Sequence, residues 1–184
     1  MLGAPSLRRA PERVETPRLV IQRPRTIDVP SIFRRYAGDL EATRYLSWPV
    51  HASEAQTRGF LAYSDDEWRR WPAGPYLVFS RDGDLLGGTG LSFEAHDCAQ
   101  TGYVLARDAW GRGYATESLQ AMVDLGRTVG VRVLYALCHA EHRPSAHVLE
   151  KCDFTRASFL PQFAEFPDLA AGTLCAVLKY SRSL

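Results

Sequence analysis

A turn with two glycines is the stretch of this sequence best suited to holding a charged ligand. Residues 109–118 read AWGRGYATES, after an apolar segment, TGYVLA, and before a helical pattern. Gly111 and Gly113 let a ligand approach the backbone, and Arg112 adds a positive charge. Because N–H groups at the start of a helix attract anions, this turn is suited to phosphates. The same pattern is also typical of a plain connection between a strand and a helix.

Two common phosphate-binding motifs do not fit the turn. A P-loop needs a lysine followed by serine or threonine, whereas Gly113 is followed by Tyr114, Ala115 and Thr116. A dinucleotide-binding motif needs a third glycine at position 116 and several more strand–helix units, for which the remaining chain is too short. A loop for the pyrophosphate of coenzyme A stays open, because it needs only small residues and a helix N-terminus behind them.

The histidines and cysteines do not form a metal-binding pattern. His139, His142 and His147 have no partnering cysteine or carboxylate pattern. The four cysteines are scattered without a C-x-x-C pair, and Cys138 and Cys175 lie in apolar segments. We therefore expect reduced cysteines and no metal site.

Hydrophobic spacing and turn residues predict the elements that would position these residues. Strands are expected over residues 16–23, 76–80, 85–94, 101–106, 131–139, 154–159 and 173–180. Helices are expected after Asp28, after Ser53, after the glycine turn up to Gly130, and over residues 142–152. Glycines 87, 88 and 90 are expected at a bulge or a close approach of backbones, since no helix follows them. This order predicts an α/β (α+β) domain with an antiparallel meander and one central β-α-β unit.

Composition is that of a folded globular domain. Of 184 residues, 46% are hydrophobic and 23% are charged, and the formal net charge is +1. This balance gives no basic surface for nucleic acid, and no segment has the length of a membrane span. We expect a flexible leader over residues 1–14, a single domain over residues 15–184, and a cytoplasmic protein without nucleic-acid or membrane partners.

Three ordered segments resemble the GNAT superfamily of N-acyltransferases. AWGRGYATESL is similar to its acyl-CoA signature, [Gln/Arg]-x-x-Gly-x-[Gly/Ala], in which Gly113 and Ala115 fill the last two places. Trp110 before Gly111 resembles the RimJ/RimL-type branch, which acetylates protein N-termini. TPRLVIQRP and HRPSAHVLEKCDF are similar to two further segments of that branch.

The resemblance implies a fold, a co-substrate and a set of binding residues. The fold would be a mixed, mostly antiparallel sheet of six to seven strands, splayed at the acyl-CoA site and flanked by about four helices. Acetyl-CoA would be the co-substrate, with no metal. His142 stands where the branch has an asparagine that contacts pantetheine, and Asp153 where it has glycine. The residues implied to bind coenzyme A are Tyr103, Val104, Leu105, Trp110, Gly111, Arg112, Gly113, Tyr114, Ala115, Thr116 and His142.

Acetyl transfer to an amine needs a proton for the departing thiolate and a neutral amine. Many members of the superfamily have a tyrosine where this chain has Leu149, and the RimL-like pattern implies Ser145 as the acid instead. A terminal α-amine has a pKa of about 8 and is partly neutral, so a carboxylate reached through water would suffice as base. Among Glu94, His96 and Asp97, Glu94 is the predicted base.

These observations favour an acetyl-CoA-dependent N-acetyltransferase that acts on the N-terminal amine of a protein or peptide by direct attack in a ternary complex. Two alternatives stay open. One is acetylation of a small amine such as an antibiotic, a polyamine or an amino acid; the aromatic stretch from Trp48 to Tyr76 is sparse in acids, which disfavours a polycation. The other is a non-catalytic acyl-CoA-binding regulatory module, which His142, Asp153 and the missing tyrosine would suit. The branch and the apolar C-terminal strand are also compatible with a homodimer.

Overall fold

Short apolar runs of the sequence form a central sheet. A computed structural model describes residues 8–184 of the chain. Residues 1–7 of the predicted leader lie outside the described residues. The strands of residues 8–184 are β1 (Arg13–Glu15), β2 (Leu19–Gln22), β3 (Pro75–Ser80), β4 (Leu85–Ala95), β5 (Cys98–Leu105), β6 (Val133–His139), β7 (Thr155–Glu165) and β8 (Leu174–Ser183). Their order in the sheet is β1-β2-β3-β4-β5-β6-β8-β7, and only β5 and β6 are parallel neighbours. The mixed, mostly antiparallel sheet is confirmed, with eight strands in the described chain instead of six or seven.

Six α-helices of residues 8–184 connect these strands, against about four expected. They are α1 (Val29–Ile32), α2 (Leu40–Thr43), α3 (Glu54–Arg70), α4 (Tyr114–Val129), α5 (Arg143–Lys151) and α6 (Pro167–Ala170). The four expected helices correspond to α1, α3, α4 and α5, and Gly130 ends α4 in a left-handed conformation, as predicted. The helices α2 and α6 have four residues each and leave no periodic pattern in the sequence. Within residues 8–184, no helix has the length and apolar character needed to cross a bilayer.

Each face of the sheet buries one layer of helical side chains. On one face, Leu119 and Met122 of α4 are buried in a cluster with Leu91 of β4. On the other face, Ile32 of α1 is buried in a cluster with Leu77 of β3. Burial of each such side chain contributes about 1.5 to 3 kcal/mol. These two apolar layers fix the helix ends relative to the strands.

The parallel strands β5 and β6 separate after a short paired stretch. Cys98–Gln100 pair with Val133–Tyr135, and the ladder between the two strands ends there in the described residues. Beyond that point β5 stays paired with β4, and β6 stays paired with β8. The sheet is therefore splayed at its centre, as the resemblance implied.

The N-terminal segment packs on the sheet from Ala10 onward. Ala10 is buried, and its N–H donates to Pro72 O at 2.8 Å. The Tyr76 hydroxyl donates to Pro11 O at 2.8 Å, and β1 extends the sheet beside β2. The leader expected over residues 1–14 thus includes packed residues. The three-residue strand β1 forms through pairing with β2, a contact that its own sequence does not reveal.

Gly87 lies where β4 and β5 approach closely, as expected for the glycines of this segment. A Cβ at Gly87 would overlap the carbonyl oxygen of Val104 and lie 2.9 Å from Leu105 Cα. We expect Gly87→Ala to lower the free energy of unfolding by about 2 kcal/mol or more, because one of the strands must move. Urea denaturation followed by circular dichroism measures this change.

Gly102→Ala is the matched control. Gly102 lies on β5 in the same pair of strands, and a Cβ there meets no atom within 4 Å. We expect its free energy of unfolding to stay within about 0.5 kcal/mol of the wild-type value. Equal losses in the two variants would contradict a specific close approach at Gly87.

Candidate active site

A cleft of about 1440 Å³ opens where β5 and β6 separate. Part of its wall is formed by the turn before α4 and the first residues of that helix, residues 109–111 and 113–116, which we call the turn arm. Another part is formed by a set of ring-bearing side chains, which we call the aromatic arm: Tyr45, Trp48, His51, Phe60 and Tyr63. Residues of the split strands line the same cleft, so one continuous cleft joins the two arms.

The turn arm has a backbone shape that suits an anion. Gly111 and Gly113 have φ angles of 71° and 80°, in the left-handed region that favours glycine. Gly113 precedes the first turn of α4, and within residues 8–184 no side chain caps this helix end. The N–H groups of Tyr114, Ala115 and Thr116 therefore lack intrahelical partners, and the positive end of the helix dipole lies behind them. A pyrophosphate group fits this arrangement.

Arg18 lies beside the turn arm. The sequence predicted that Arg112 would supply the positive charge at this place. The Arg112 side chain is exposed and does not line the cleft. The Arg18 guanidinium donates from Nη1 to Arg112 O at 2.8 Å and lies 4.9 Å from the ring centre of Tyr114. Its Nη2 is 3.3 Å from the position that a Cβ of Gly113 would take. Arg18 was not predicted as a site residue, although it belongs to the N-terminal segment TPRLVIQRP that contributed to the resemblance.

Glu117 of α4 ties the turn arm to the N-terminal segment. Its Oε1 accepts from Thr16 Oγ1 at 2.6 Å and from Arg18 N at 2.9 Å, and its Oε2 accepts from Arg18 Nε at 2.6 Å. Burial raises the pKa of this carboxyl, but the hydrogen bonds from Thr16 and Arg18 outweigh burial and lower the pKa below its usual value. The carboxylate is therefore ionised at neutral pH and holds Arg18 against the turn.

Trp110 fastens the turn arm to the end of β5. Its indole N–H donates to Leu105 O at 2.8 Å, and about half of the residue stays exposed at the cleft. This bond fixes the turn relative to the open edge of the strand. Tyr103, Val104 and Leu105 line the cleft together, where the resemblance placed the thioester.

Tyr103 and Ser145 form a pair of hydroxyls in the split. Pro144 in the first turn of α5 starts the helix at a point where Ser145 faces β5. The Tyr103 hydroxyl lies 3.0 Å from Ser145 Oγ and 3.1 Å from Ser145 O, and it can donate its one proton to either oxygen. Leu149, where the resemblance implies a tyrosine in many members of the superfamily, is buried in the core and has no proton to offer. The structure therefore brings two hydroxyls, those of Ser145 and Tyr103, together in this part of the cleft.

His142 lies in the cleft against Tyr45, a residue that the sequence did not single out. The two rings are stacked, with centroids 4.2 Å apart and planes at 10°. Burial, followed by the charge of His139, lowers the pKa of His142, so this imidazole is neutral at neutral pH. A neutral imidazole still donates one hydrogen bond and accepts another. His142 thus keeps the bonding capacity expected of a pantetheine contact.

Asp168, in α6, holds the loop that carries Tyr45 and Trp48. Its Oδ2 accepts from Thr43 Oγ1 at 2.5 Å and from Val50 N at 2.7 Å. These partners are 125 and 118 positions away in the chain. The segment between β7 and β8 therefore positions the aromatic arm.

Glu94 lies outside the cleft wall that contains the other predicted residues. Its carboxylate accepts a hydrogen bond from the Tyr135 hydroxyl, which is also 3.3 Å from Gln100 Oε1. Burial, and then this carboxylate, raise the pKa of Tyr135, which stays protonated. Because Gln100 and Tyr135 are paired residues of β5 and β6, Glu94 marks the closed end of the split. The alternatives His96 and Asp97 are exposed and do not line the cleft either.

In residues 8–184, no group of three or more histidine, cysteine or carboxylate side chains is placed to hold a metal ion. His139 packs edge-on against Phe166, with centroids 5.0 Å apart, and accepts from Glu141 N at 3.2 Å. The His139 ring is therefore engaged by an aromatic ring and by backbone.

The sequence of this chain matches a known domain family and several curated proteins. Residues 18–155 match the acetyltransferase (GNAT) domain. The chain is also similar to p20 of Bacillus licheniformis, described as an uncharacterized N-acetyltransferase. The identity is 25% over 174 residues, which cover 92% of this chain and 95% of that protein.

Two solved structures illustrate the range of proteins with this fold. RimL, a ribosomal L7/L12 α-N-protein acetyltransferase in complex with coenzyme A, has a TM-score of 0.81 at 22% identity, covering 94% of this chain and 98% of that one. Spermidine N-acetyltransferase from Vibrio cholerae, in complex with coenzyme A and spermine, has a TM-score of 0.74 at 16% identity, covering 90% and 95%. At these identities the likeness shows a shared fold.

Glu117→Gln is expected to loosen the link between the turn arm and the N-terminal segment. The amide keeps the shape of the side chain but loses its charge, so we expect a loss of about 1 to 2 kcal/mol in the free energy of unfolding near pH 7. Because the folded-state pKa of Glu117 lies below its ordinary value of 4.5, the stabilisation is complete above pH 4.5 and is lost as the pH falls through the folded-state pKa. Urea denaturation at a series of pH values should show the difference shrinking below pH 4.5.

Glu54→Gln serves as the control for this series. Glu54 pairs with Arg58 at 3.4 Å on the exposed surface of α3. Glu117, by contrast, accepts three hydrogen bonds from Thr16 and Arg18. We expect a change of at most about 0.5 kcal/mol near pH 7. A loss in Glu117→Gln that does not vary with pH would contradict the role of the ionised carboxylate.

Proposed function

Because this chain belongs to the GNAT family of acetyltransferases, we propose that it transfers the acetyl group of acetyl-CoA to the N-terminal amine of a protein or peptide. The family makes it an acyltransferase with acetyl-CoA as co-substrate. The family does not fix the acceptor, so that part of the proposal depends on the aromatic arm. A homodimer and a cytoplasmic location stay predictions.

The donor side of the proposal uses the turn arm and the split. The N–H groups at the start of α4 and the Arg18 guanidinium would bind the pyrophosphate. The open edge of β5 and the His142 imidazole would hold the pantetheine arm, which leaves the thioester beside Ser145. Direct attack needs donor and acceptor to meet at the split, and the continuity of the cleft allows this.

The cleft combines the rings of the aromatic arm with a balanced set of charges over its whole lining, and this observation carries the choice of acceptor. The acids that line the cleft are Glu41 and Glu141, and they are matched by Arg44 and Lys151. A polyamine carries several positive charges and would need an excess of acids. A peptide N-terminus brings a single amine followed by side chains that can pack on aromatic rings. The cleft therefore suits a peptide better than a polycation.

The comparisons support an acetyltransferase without choosing the acceptor. RimL is a ribosomal-protein acetyltransferase, and the Vibrio cholerae protein is a spermidine acetyltransferase, yet both share this fold. Since one fold serves both acceptors, the fold alone cannot separate a peptide from a polyamine. The charges of the cleft favour the peptide.

The proposed reaction needs a neutral amine, a bound oxyanion and a proton for the thiolate. An N-terminal amine has a pKa of about 8, so an appreciable fraction is neutral without a strong base. Glu94 stays the predicted base, and because it lies outside the cleft wall it would act through water. Ser145 faces the split from α5 and would protonate the thiolate.

Peptides are expected to be better acceptors than polyamines. The purified full chain is mixed with acetyl-CoA and either short peptides with free N-termini or spermidine, and thiol release is followed. We expect kcat/KM for the best peptide to exceed that for spermidine by about 10-fold or more, an advantage of about 1.4 kcal/mol. The same peptides with acetylated N-termini are the control and should give no turnover above that without acceptor. Preference for spermidine would contradict the proposal, and coenzyme A binding without turnover of any amine would point to a binding module instead.

Tyr63→Ala is expected to weaken acceptor binding and leave the donor side unchanged. Tyr63 lines the aromatic arm and is 48% exposed, so truncation should leave the fold intact. We expect KM for the peptide to rise about 3- to 10-fold, as a lost aromatic contact costs about 1 kcal/mol, with KM for acetyl-CoA unchanged. Phe163→Ala, at a 50% exposed ring on β7 outside the cleft, is the matched control. A similar rise in both variants would contradict acceptor binding by this arm.

A further inference from the structure

Tyr103 places a second hydroxyl directly behind Ser145. The residue lies in the part of β5 that has already separated from β6, and both hydroxyl-bearing residues line the cleft. Its oxygen is 3.0 Å from Ser145 Oγ and 3.1 Å from Ser145 O. Within residues 8–184, Tyr103 is the hydrogen-bond partner that the structure gives to Ser145 Oγ. The two side chains come from positions 42 apart, so only the fold brings them together.

The Tyr103 phenol is protonated under ordinary conditions. Burial raises its pKa above the usual value, and the hydrogen bond to Ser145 offsets only part of that rise. The thiols of Cys138 and Cys152 also raise the pKa of Tyr103 through their charge interaction with it. Burial raises the pKa of each of these thiols in turn. His142 is neutral and stacked on Tyr45. Tyr103 is therefore a partly buried proton donor in this part of the cleft.

We propose that Tyr103 is a positioning residue that orients Ser145 Oγ and replaces its proton as Ser145 protonates the departing sulfur. The proposal rests on the proposed acetyl transfer for its donor and extends it to a residue that acts through Ser145. A serine hydroxyl alone is a weak acid, whereas a hydrogen-bonded phenol behind it can restore the proton in the same step. The strand-borne tyrosine thus compensates for Leu149, which is buried and apolar.

The protons and bonds of this step balance. The amine nitrogen attacks the acetyl carbon, and the bond between that carbon and sulfur breaks, with its electron pair going to sulfur. The Ser145 proton moves to sulfur, and the Tyr103 proton moves to Ser145 Oγ. The proton that the amine loses passes through water to Glu94, the predicted base, and a proton returns from Glu94 through water to the Tyr103 oxygen. The products are an N-acetylated amine and a free thiol.

Tyr103→Phe tests the proposal because it removes one oxygen and keeps the ring. We expect kcat to fall about 10- to 100-fold, within the range of acid catalysis, while KM for acetyl-CoA and the calorimetric Kd for coenzyme A stay within about twofold. Ser145→Ala should lower kcat at least as much. The double variant should be no slower than Ser145→Ala alone, because both side chains act in one step.

Tyr180→Phe is the matched control. The Tyr180 hydroxyl donates to Glu150 Oε1 at 2.9 Å, so it also anchors α5, but it lies outside the cleft. If Tyr103 only anchored this helix, the two phenylalanine variants would behave alike. We expect Tyr180→Phe to keep the wild-type kcat, and thermal unfolding checks that both variants are folded.

A readout without turnover tests the hydroxyl pair in the free protein. Tyrosine labelled with 13C at Cζ gives one resonance for each ring, and Tyr103→Phe identifies that of Tyr103. We expect Ser145→Ala to shift this resonance and Tyr180→Phe to leave it in place, because the phenol bonds to the serine hydroxyl.

Three results would overturn the proposal: a wild-type kcat in Tyr103→Phe, multiplicative losses in the double variant, or a rise of KM for acetyl-CoA with kcat unchanged. Failure of peptides as acceptors would be a separate result, because the variants are compared with whichever amine the enzyme acetylates. If no amine is acetylated, the same variants are compared in the slow hydrolysis of acetyl-CoA. Thiolate departure needs the same proton there, so Tyr103→Phe should again lower the rate.

Discussion

The early end of the ladder between β5 and β6 is the constraint on which the rest of the molecule depends. Each of these strands is held on its far side by another strand, β4 or β8, so the split does not weaken the remaining pairs. Backbone groups on the inner edges must find other partners, and a bound pantetheine arm can supply them. The cleft, the proposed thioester position and the hydroxyl pair all lie in this gap.

The positive end of α4 is a second important feature, and its capacity to bind an anion depends on the side chains that hold it in place. Glu117 projects from the first turn of this helix and binds Thr16 and Arg18 of the N-terminal segment. That ion pair brings the Arg18 guanidinium to the same turn that presents the helix N–H groups. Stability and anion binding are therefore coupled here, because one carboxylate stabilises the domain and positions the cation.

The acceptor side of the cleft is assembled from distant segments. Asp168 anchors the loop between α2 and α3, and Tyr45 of that loop stacks on His142 at the start of α5. The cleft thus has apolar walls around a few polar groups, an environment in which hydrogen bonds are stronger than in water. Tyr103 and Ser145 lie in this environment, which favours proton transfer along a short hydroxyl pair.

The sequence by itself determined the features that arise from neighbours along the chain. The helix α4 between two glycines, the antiparallel meander and the first turn of α5 were predicted because periodicity and turn residues are local signals. The short elements β1, α2 and α6 carry too few residues for such a signal, so they were missed. Of the predicted site residues, these lie in the cleft: Tyr103, Val104, Leu105, Trp110, Gly111, Gly113, Tyr114, Ala115, Thr116, His142 and Ser145.

Only the tertiary structure decided where the charged and aromatic side chains go. Tyr45 lines the cleft and Arg18 lies against the turn arm, although the sequence marked neither residue. The side chains of Arg112 and Glu94, like that of Arg18, lie outside the cleft wall. The physical reason is that the position of a long polar side chain is set by the group to which it bonds. These bonding partners come from remote segments of the chain. Thus Arg18 pairs with a glutamate 99 positions away, a distance along the chain that no local pattern records.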